Sequence, residues 1–285
     1  MTLTASRFFS TQPADLGSEA EERFFCAIRT SNRTTKQTAK DRFKSLNDAL
    51  MGHLQGEAIN HVLDVGVSSG ITTIELVDAF RSIGAAPQVV ATDRWCHAYV
   101  VPVGWNCGAL LDENGELLQM ELFGTAMRSW SRRLDYVTGV ALVRRALAAV
   151  IGARARQIMQ DPSRGAEAVQ LVTPRLQAVP QISLMKDDVL AFNPRLFGKF
   201  DFIRAANILN KGYFPTDALA LGLSHLASYL RAPGAWLLIN RTHPNEVNHG
   251  TLFRLDAQGR LQPIERFGAG SEIEELALQI GAAKP

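Results

Sequence analysis

The densest chemistry in the chain lies in seven residues, Asp64-Val65-Gly66-Val67-Ser68-Ser69-Gly70. Gly66 to Gly70 spell G-x-S-x-G, the pattern that lifts a serine nucleophile onto a sharp strand-to-helix turn for attack on an acyl carbon. The same run suits a loop whose glycines let a ligand approach the backbone closely. A hydrolase needs an acid and then a histidine further on, and Asp201 or Asp217 with His243 has that order. Two features oppose it. A nucleophile elbow follows several earlier strands, whereas this motif ends the first recognisable one. Asp64, four residues before Ser68, also has no part in acyl transfer.

Other polar residues fall where apolar runs stop. Asp93 ends "QVVATD", Asp187 and Asp188 follow "ISLMK", and Arg204 to Asn210 close "FDFIRAAN" and its continuation. An aspartate at the end of a strand often does no more than cap the next helix. Asp64, Asp93 and Asp188 at three successive strand ends are harder to explain that way. In open α/β sheets, ligands bind beyond the carboxyl ends of the strands, where strand order reverses.

The elements that must position these residues alternate. Residues 16–28 and 35–53 read as helices, the second capped by Thr34 or Thr35 and carrying Phe43, Leu46 and Leu50 at helical spacing. Strand 61–65, helix 71–83 and strand 88–93 form a βαβ unit, whose strands run parallel. Strands follow at 182–188, 200–207 and 234–242, with a helix over 216–230. Residues 250–268 read as a hairpin turning at Asp256–Gly259. The expected fold is α/β: a doubly wound, mostly parallel sheet with a reversed C-terminal hairpin strand. Between the second and third strands, residues 96–180 are too many for one crossover helix. A hairpin at Asp112–Gly115 and a long helix over 136–159 make this an α+β insertion.

Composition narrows the function. With 285 residues, 46% of them hydrophobic, the chain can bury a sizeable core, and its net charge of +2 is too mild to argue for nucleic acid. Cys26, Cys96 and Cys107 show no C-x-x-C pair, so reduced thiols in a cytoplasmic protein are expected. Cys96-His97 with one distant cysteine lacks metal-ligand spacing, so no metal is expected. The start carries no long apolar run, and no window is apolar enough to span a bilayer.

The motifs, taken together, resemble those of class I S-adenosylmethionine methyltransferases. Asp64 to Gly70 is similar to the D-x-G-x-G-x-G first motif, with Ser68 in the place of a glycine. Asp93 matches the acidic end of the second strand. "KDDVLAF" resembles the third motif, with Asp188 in the acidic place. "FDFIRAANILNKGYF" resembles the fourth and is similar to the FD-x-I-x-C-R-N-V-L segment of CheR-type protein methyltransferases. "LRAPGAWLLINRT" resembles the fifth-strand segment, with Ala235 for its second glycine. The resemblance covers about 60–93 and 182–268. It favours this cofactor over a nicotinamide, whose G-x-G-x-x-G loop needs a third glycine where Ile71 stands.

The resemblance implies S-adenosylmethionine as cofactor, held by Asp64, Gly66, Val67, Ser68, Gly70, Asp93, Arg94, Trp95, Asp188, Val189, Ala205 and Asn207. In that reading Asp64 accepts from the amino group or orients the loop, Asp93 takes the ribose hydroxyls, and Asp188 takes the adenine amino group. Val189 lies on the ring, and Trp95 stacks on adenine or is core. Asn207, Tyr213 and His243 are the catalytic candidates, whereas His225 falls inside a helix pattern and is read as structural. The expected product is an O- or N-methylated small metabolite, lipophilic or acidic. A CheR-like protein substrate, or binding without catalysis, is the alternative. Residues 1–55 are expected to cap the site, 56–95 and 181–285 to hold the cofactor, and 96–180 to form a lid or substrate lobe. Segment 128–156 carries seven arginines against the single acid Asp135. It reads as a peripheral membrane contact, a homodimer helix, or a lid that greets an acidic small molecule.

Overall fold

A computed structural model describes residues 2–29, 36, 40–243 and 247–280. The chain passes three times between two compact units, Met1–Lys40 with Trp95–Ala178 and Asp41–Arg94 with Val179–Pro285. It begins in the first unit with α1 (Ala5–Ser10) and α2 (Ser18–Ala27). It enters the second with α3 (Lys44–Leu54), β1 (His61–Val65), α4 (Ile71–Ser82) and β2 (Gln88–Asp93). It returns with β3 (His97–Gly104), β4 (Cys107–Asp112), β5 (Leu117–Leu122), β6 (Thr125–Arg128), α5 (Arg133–Val137), α6 (Val140–Met159), β7 (Glu167–Gln170) and α7 (Pro174–Gln177). It finishes in the second with β8 (Ile182–Lys186), β9 (Phe202–Ala206), α8 (Thr216–Tyr229), β10 (Trp236–Thr242), β11 (Asn248–Leu255), β12 (Leu261–Phe267) and α9 (Glu274–Gln279).

The second unit is a seven-stranded sheet in the order β12-β11-β10-β9-β1-β2-β8. Its five strands from β8 to β10 pair in parallel, and β11 and β12 extend it as an antiparallel hairpin. This is the doubly wound, mostly parallel sheet that the alternation of elements predicts. The reversed strand is β11, and β12 turns back again.

Side chains alternate between the two faces of the sheet. Leu63, Val65, Ile203 and Ala205 pack with Leu219, Leu223 and Leu226 of α8. Val62 and Phe202 pack on the opposite face with Leu46 and Leu50 of α3 and Leu76, Val77 and Phe80 of α4. Helices on both faces explain why these strands read as unbroken apolar runs. Strand order reverses between β1 and β9, so the loop after β1 emerges at the switch point.

The first unit is an antiparallel sheet in the order β6-β5-β4-β3-β7. Phe8, Phe24, Phe25 and Ile28 pack with Ala98, Leu110, Leu118 and Leu171. Val101, Ala109, Leu111 and Met120 pack with Ile151, Ala155 and Ile158 of α6. The inserted region is thus α+β, as expected, with a larger sheet than the single hairpin read from sequence. That hairpin turns where predicted, because the Asp112 Oδ1 accepts the N–H groups of Asn114 and Glu116 at 2.9 and 2.8 Å.

Three expectations change. Residues 1–55 are not one group: α1 and α2 pack with the inserted sheet, and α3 packs on the parallel one. The helix expected over 35–53 spans Lys44–Leu54, since Asp41 has φ 60° and a left-handed residue interrupts a right-handed helix. Its expected caps, Thr34 and Thr35, lie outside the described residues. The long helix over 136–159 is two helices parted at Gly139, whose φ is 73°.

Two features of the first unit make predictions. The β5–β6 turn places Phe123 at φ 50° ahead of Gly124 at φ 75°. Such a turn favours asparagine followed by glycine, and a left-handed L-residue costs about 1–2 kcal/mol. Phe123→Asn is expected to raise stability by about 1 kcal/mol in urea unfolding. The second feature is Glu21, whose buried carboxylate accepts from Thr173 Oγ1, and from Arg175 Nη1 at 2.9 Å. Burial raises its pKa above the ordinary 4.5 despite these partners. The native state then keeps a proton that the unfolded chain has lost, so this contribution to stability fades as pH climbs through the raised value. Glu21→Gln is expected to flatten that part of the stability–pH curve, measured as the difference between the two proteins.

Candidate functional site

The loop after β1 is built from left-handed residues. Gly66, Ser68 and Gly70 have φ of 74°, 57° and 83°. Ser68 therefore stands in a conformation that glycine adopts freely, which accounts for its place in a glycine-rich pattern. The loop is tied to β2 through Gly66 N–H and Val67 N–H, which donate to Thr92 O at 2.8 and 3.1 Å. Ser68 N–H donates to Asp93 Oδ2 at 2.7 Å. Gly70 is the N-cap of α4, and no side chain caps that helix. Ser69 is fully buried, and its Oγ has no partner among the described residues. An uncapped helix start beside an unsatisfied hydroxyl fits a ligand that brings a carboxylate and other acceptors.

Asp64 is engaged elsewhere. Arg204 donates through Nε to Asp64 Oδ1 at 2.8 Å and through Nη2 to Oδ2 at 2.7 Å, and Thr73 Oγ1 donates to Oδ2 at 2.7 Å. Both partners of this pair are almost wholly buried. Both oxygens of Asp64 meet Arg204, an arrangement that suits the second of its two expected roles, orienting the loop. Asp64 and Arg204 are register partners on β1 and β9, so adjacent strands set the fork against the carboxylate. The network continues to Thr72 O, which accepts from Arg204 Nη2 at 2.9 Å. The Arg204 and Arg42 guanidinium groups both lie over the Phe43 ring, at 5.5 and 4.6 Å. Burial, then the charge of Arg204, lowers Arg42 to about 10.

Asp93 and Asp188 close neighbouring strands, since β2 pairs in parallel with β8 and Asp187 N–H donates to Asp93 O at 3.1 Å. Asp188 is partly exposed, accepts from Leu190 N–H at 3.1 Å and lies 3.5 Å from Arg94. Asp187 is held by Asn193 at 2.8 Å, and burial raises its carboxyl above the usual range. Val67, Val189 and Ala205 are core residues, with exposures of 3%, 6% and 0%. Val189 and Ala205 sit in the cluster against α8. Trp95 belongs to the other unit.

At the ends of β9 and β10, Asn207 has φ 60°, accepts from Thr242 N–H at 2.6 Å and donates to Thr242 Oγ1 at 3.2 Å. It joins the two strand ends and shapes the rim. Tyr213 is 64% exposed in the loop that follows. The His243 ring stands edge-on to His249 at 4.6 Å. His225 Nδ1 lies 2.9 Å from Val189 O inside the core, as its helix pattern implies. Of the two acids with the hydrolase order, Asp201 is engaged at the amino ends of β1 and β9, where its Oδ2 accepts from Asn60 N–H and His61 N–H at 2.9 and 2.8 Å, and Asp217 lies in the first turn of α8. No group of metal-ligating side chains occurs among the described residues.

Sequence reasoning missed Arg204, Thr73 and Thr242 as parts of the site. One signal existed for Arg204: a charged residue inside "FDFIRAA", a run otherwise fit for a buried strand, requires a buried partner. Asn240 was also missed; it is 3% exposed, and neither of its amide atoms has a partner among the described residues.

No family model and no curated protein matches the chain. Solved structures share slight likeness. The CMeT domain of the citrinin polyketide synthase is 12% identical with a TM-score of 0.37, covering 81% of this chain and 42% of that one. CalS10, an amino pentose methyltransferase from Micromonospora echinaspora solved with S-adenosylmethionine, is 12% identical with a TM-score of 0.36, covering 85% and 81%. The N-methyltransferase NodS from Bradyrhizobium japonicum WM9, in complex with S-adenosyl-L-homocysteine, is 15% identical with a TM-score of 0.35, covering 70% and 62%. The chain thus spans less than half the length of the citrinin domain.

Proposed function

We propose that the second unit is an S-adenosylmethionine-dependent methyltransferase. The observation that carries this reading is the loop after β1: left-handed backbone at Gly66, Ser68 and Gly70, latched to the carboxylate that ends β2, at the switch point of the sheet. In this reading the Gly66–Gly70 backbone and the uncapped start of α4 hold the methionine end, whose carboxylate suits a helix N-terminus. Asp93 accepts the ribose hydroxyls, and Asp188 with Arg94 frames the adenine edge. Asp64 and Arg204 fix the loop from below.

When bound, the sulfonium supplies the methyl group for an in-line displacement. The chain's part is then alignment, which by itself can lower a barrier by roughly 7–11 kcal/mol. The ends of β9 and β10 receive the acceptor in this proposal. Asn207 shapes that rim, Tyr213 aims the acceptor, and His243 takes a proton where the acceptor atom is a hydroxyl oxygen. The acceptor is a small lipophilic or acidic metabolite bearing an O or N nucleophile.

Calorimetry with S-adenosylhomocysteine tests the cofactor assignment, with one site per chain as the expected result. Absence of heat at millimolar ligand would falsify it.

A further inference from the structure

We propose that the first unit docks on an anionic lipid bilayer through the outer face of α5 and α6 and through two aromatic hairpin tips. The proposal concerns this unit alone and stands whether or not the second unit transfers methyl groups.

Helix α6 is apolar on two faces. On a 3.6-residue period, Ala141, Ile151, Ala155 and Ile158 share the side that packs on the sheet. The opposite side carries Leu142, Val143, Ala146, Ala149, Val150 and Ala153, all exposed. Leu142 is 75% exposed and Val150 70%. Arg145 and Arg156 border this outer strip on one flank and Arg154 on the other. Helix α5 continues it with exposed Leu134, Tyr136 and Val137. A helix apolar all round belongs in an interior, so the outer strip calls for a covering partner.

The charges say which partner. Segment 128–156 has seven arginines and one acid, Asp135, which Arg144 already pairs. Burial and the neighbouring charges of Arg132 and Arg144 lower the pKa of Arg128, so cations are crowded here. A two-fold pairing of identical chains would set this patch against itself, arginine facing arginine. An anionic surface instead meets the arginine borders, while the strip between them sinks among acyl chains.

The hairpin tips supply an independent observation. Trp105 is 94% exposed and Phe123 76%. They sit in adjacent turns, since Phe123 N–H donates to Asn106 O at 2.9 Å. Both have left-handed φ, 54° and 50°, a region that bulky residues rarely adopt. Neither packing nor turn chemistry favours an aromatic at such a place. A bilayer interface does, because aromatic rings settle at headgroup level. No helix among the described residues is long and apolar enough to cross a membrane, so the contact is peripheral.

Flotation of the full chain with phosphatidylglycerol-rich vesicles tests this. Binding is expected at low salt, should fall at high salt, and should be absent with pure phosphatidylcholine. Arg145→Glu with Arg154→Glu is expected to weaken binding at least about tenfold, from the loss and reversal of two charges near the surface. Leu142→Ser with Val143→Ser should weaken it too. Trp105→Asn with Phe123→Asn should lower binding in a protein at least as stable as the parent, which separates docking from folding. The proposal is overturned if anionic vesicles are ignored at low salt, if charged and neutral vesicles bind equally, or if the tip variant binds like the parent. It is also overturned if light scattering finds a dimer that Leu142→Ser dissociates.

Discussion

Arg204→Leu is expected to destabilise the second unit by about 3–5 kcal/mol, the cost of leaving a buried carboxylate without its cation. Asp64 is 2% exposed and takes both of its arginine bonds from this one side chain, at 2.8 and 2.7 Å. Of the hydrogen bonds described for Asp64, only that from Thr73 Oγ1 would then remain. The pair itself adds little net stability, because removing both ions from water is expensive. The double change Asp64→Leu with Arg204→Leu should therefore recover much of the loss. Urea unfolding of the single and double variants measures this as a coupling energy. A single-variant loss below about 1 kcal/mol would mean that water reaches Asp64, against the burial reported above. The double variant should fold and yet bind S-adenosylhomocysteine less well, since Arg204 also bonds Thr72 O in the first turn of α4.

Asp93→Ala should weaken S-adenosylhomocysteine binding at least about tenfold with a smaller effect on stability, since a hydrogen bond to a charged acceptor contributes about 1.5–3 kcal/mol. Two effects act together. The variant loses the acceptor assigned to the ribose hydroxyls. It also releases Ser68 N–H, the 2.7 Å latch that holds a left-handed serine in place. Ser68→Gly keeps both the carboxylate and the N–H that it latches, and tests the backbone strain by itself. Glycine adopts φ 57° without strain, so this variant should keep affinity and gain slightly in stability. If Asp93→Ala binds as tightly as the parent by calorimetry, Asp93 is only a latch and the ribose contact is wrong.

The parallel sheet was legible because its signals are local. Apolar runs of five or six residues, helical spacing between them and polar residues where they stop depend on neighbours along the chain. The register that sets Arg204 beside Asp64 depends on β1 and β9 lying next to each other, across 140 positions of sequence. Nothing in either segment states that distance. The packing of Val189 and Ala205 was illegible for a related reason. A strand end fixes where a residue lies along the chain, whereas the alternation of faces decides whether its side chain meets α8 or a ligand.

By itself, then, the amino-acid order determined the α/β alternation, the inserted α+β region, and a glycine-rich turn followed by an acid-tipped strand, because short-range periodicity and turn chemistry encode them. Only the tertiary structure decided that Asp64 is consumed by Arg204, that α1 and α2 join the inserted sheet, and that Trp105 and Phe123 stand together at two turns. Each of those outcomes depends on which distant segments share a face. Burial of apolar area drives that choice without direction, and no local pattern specifies its partners.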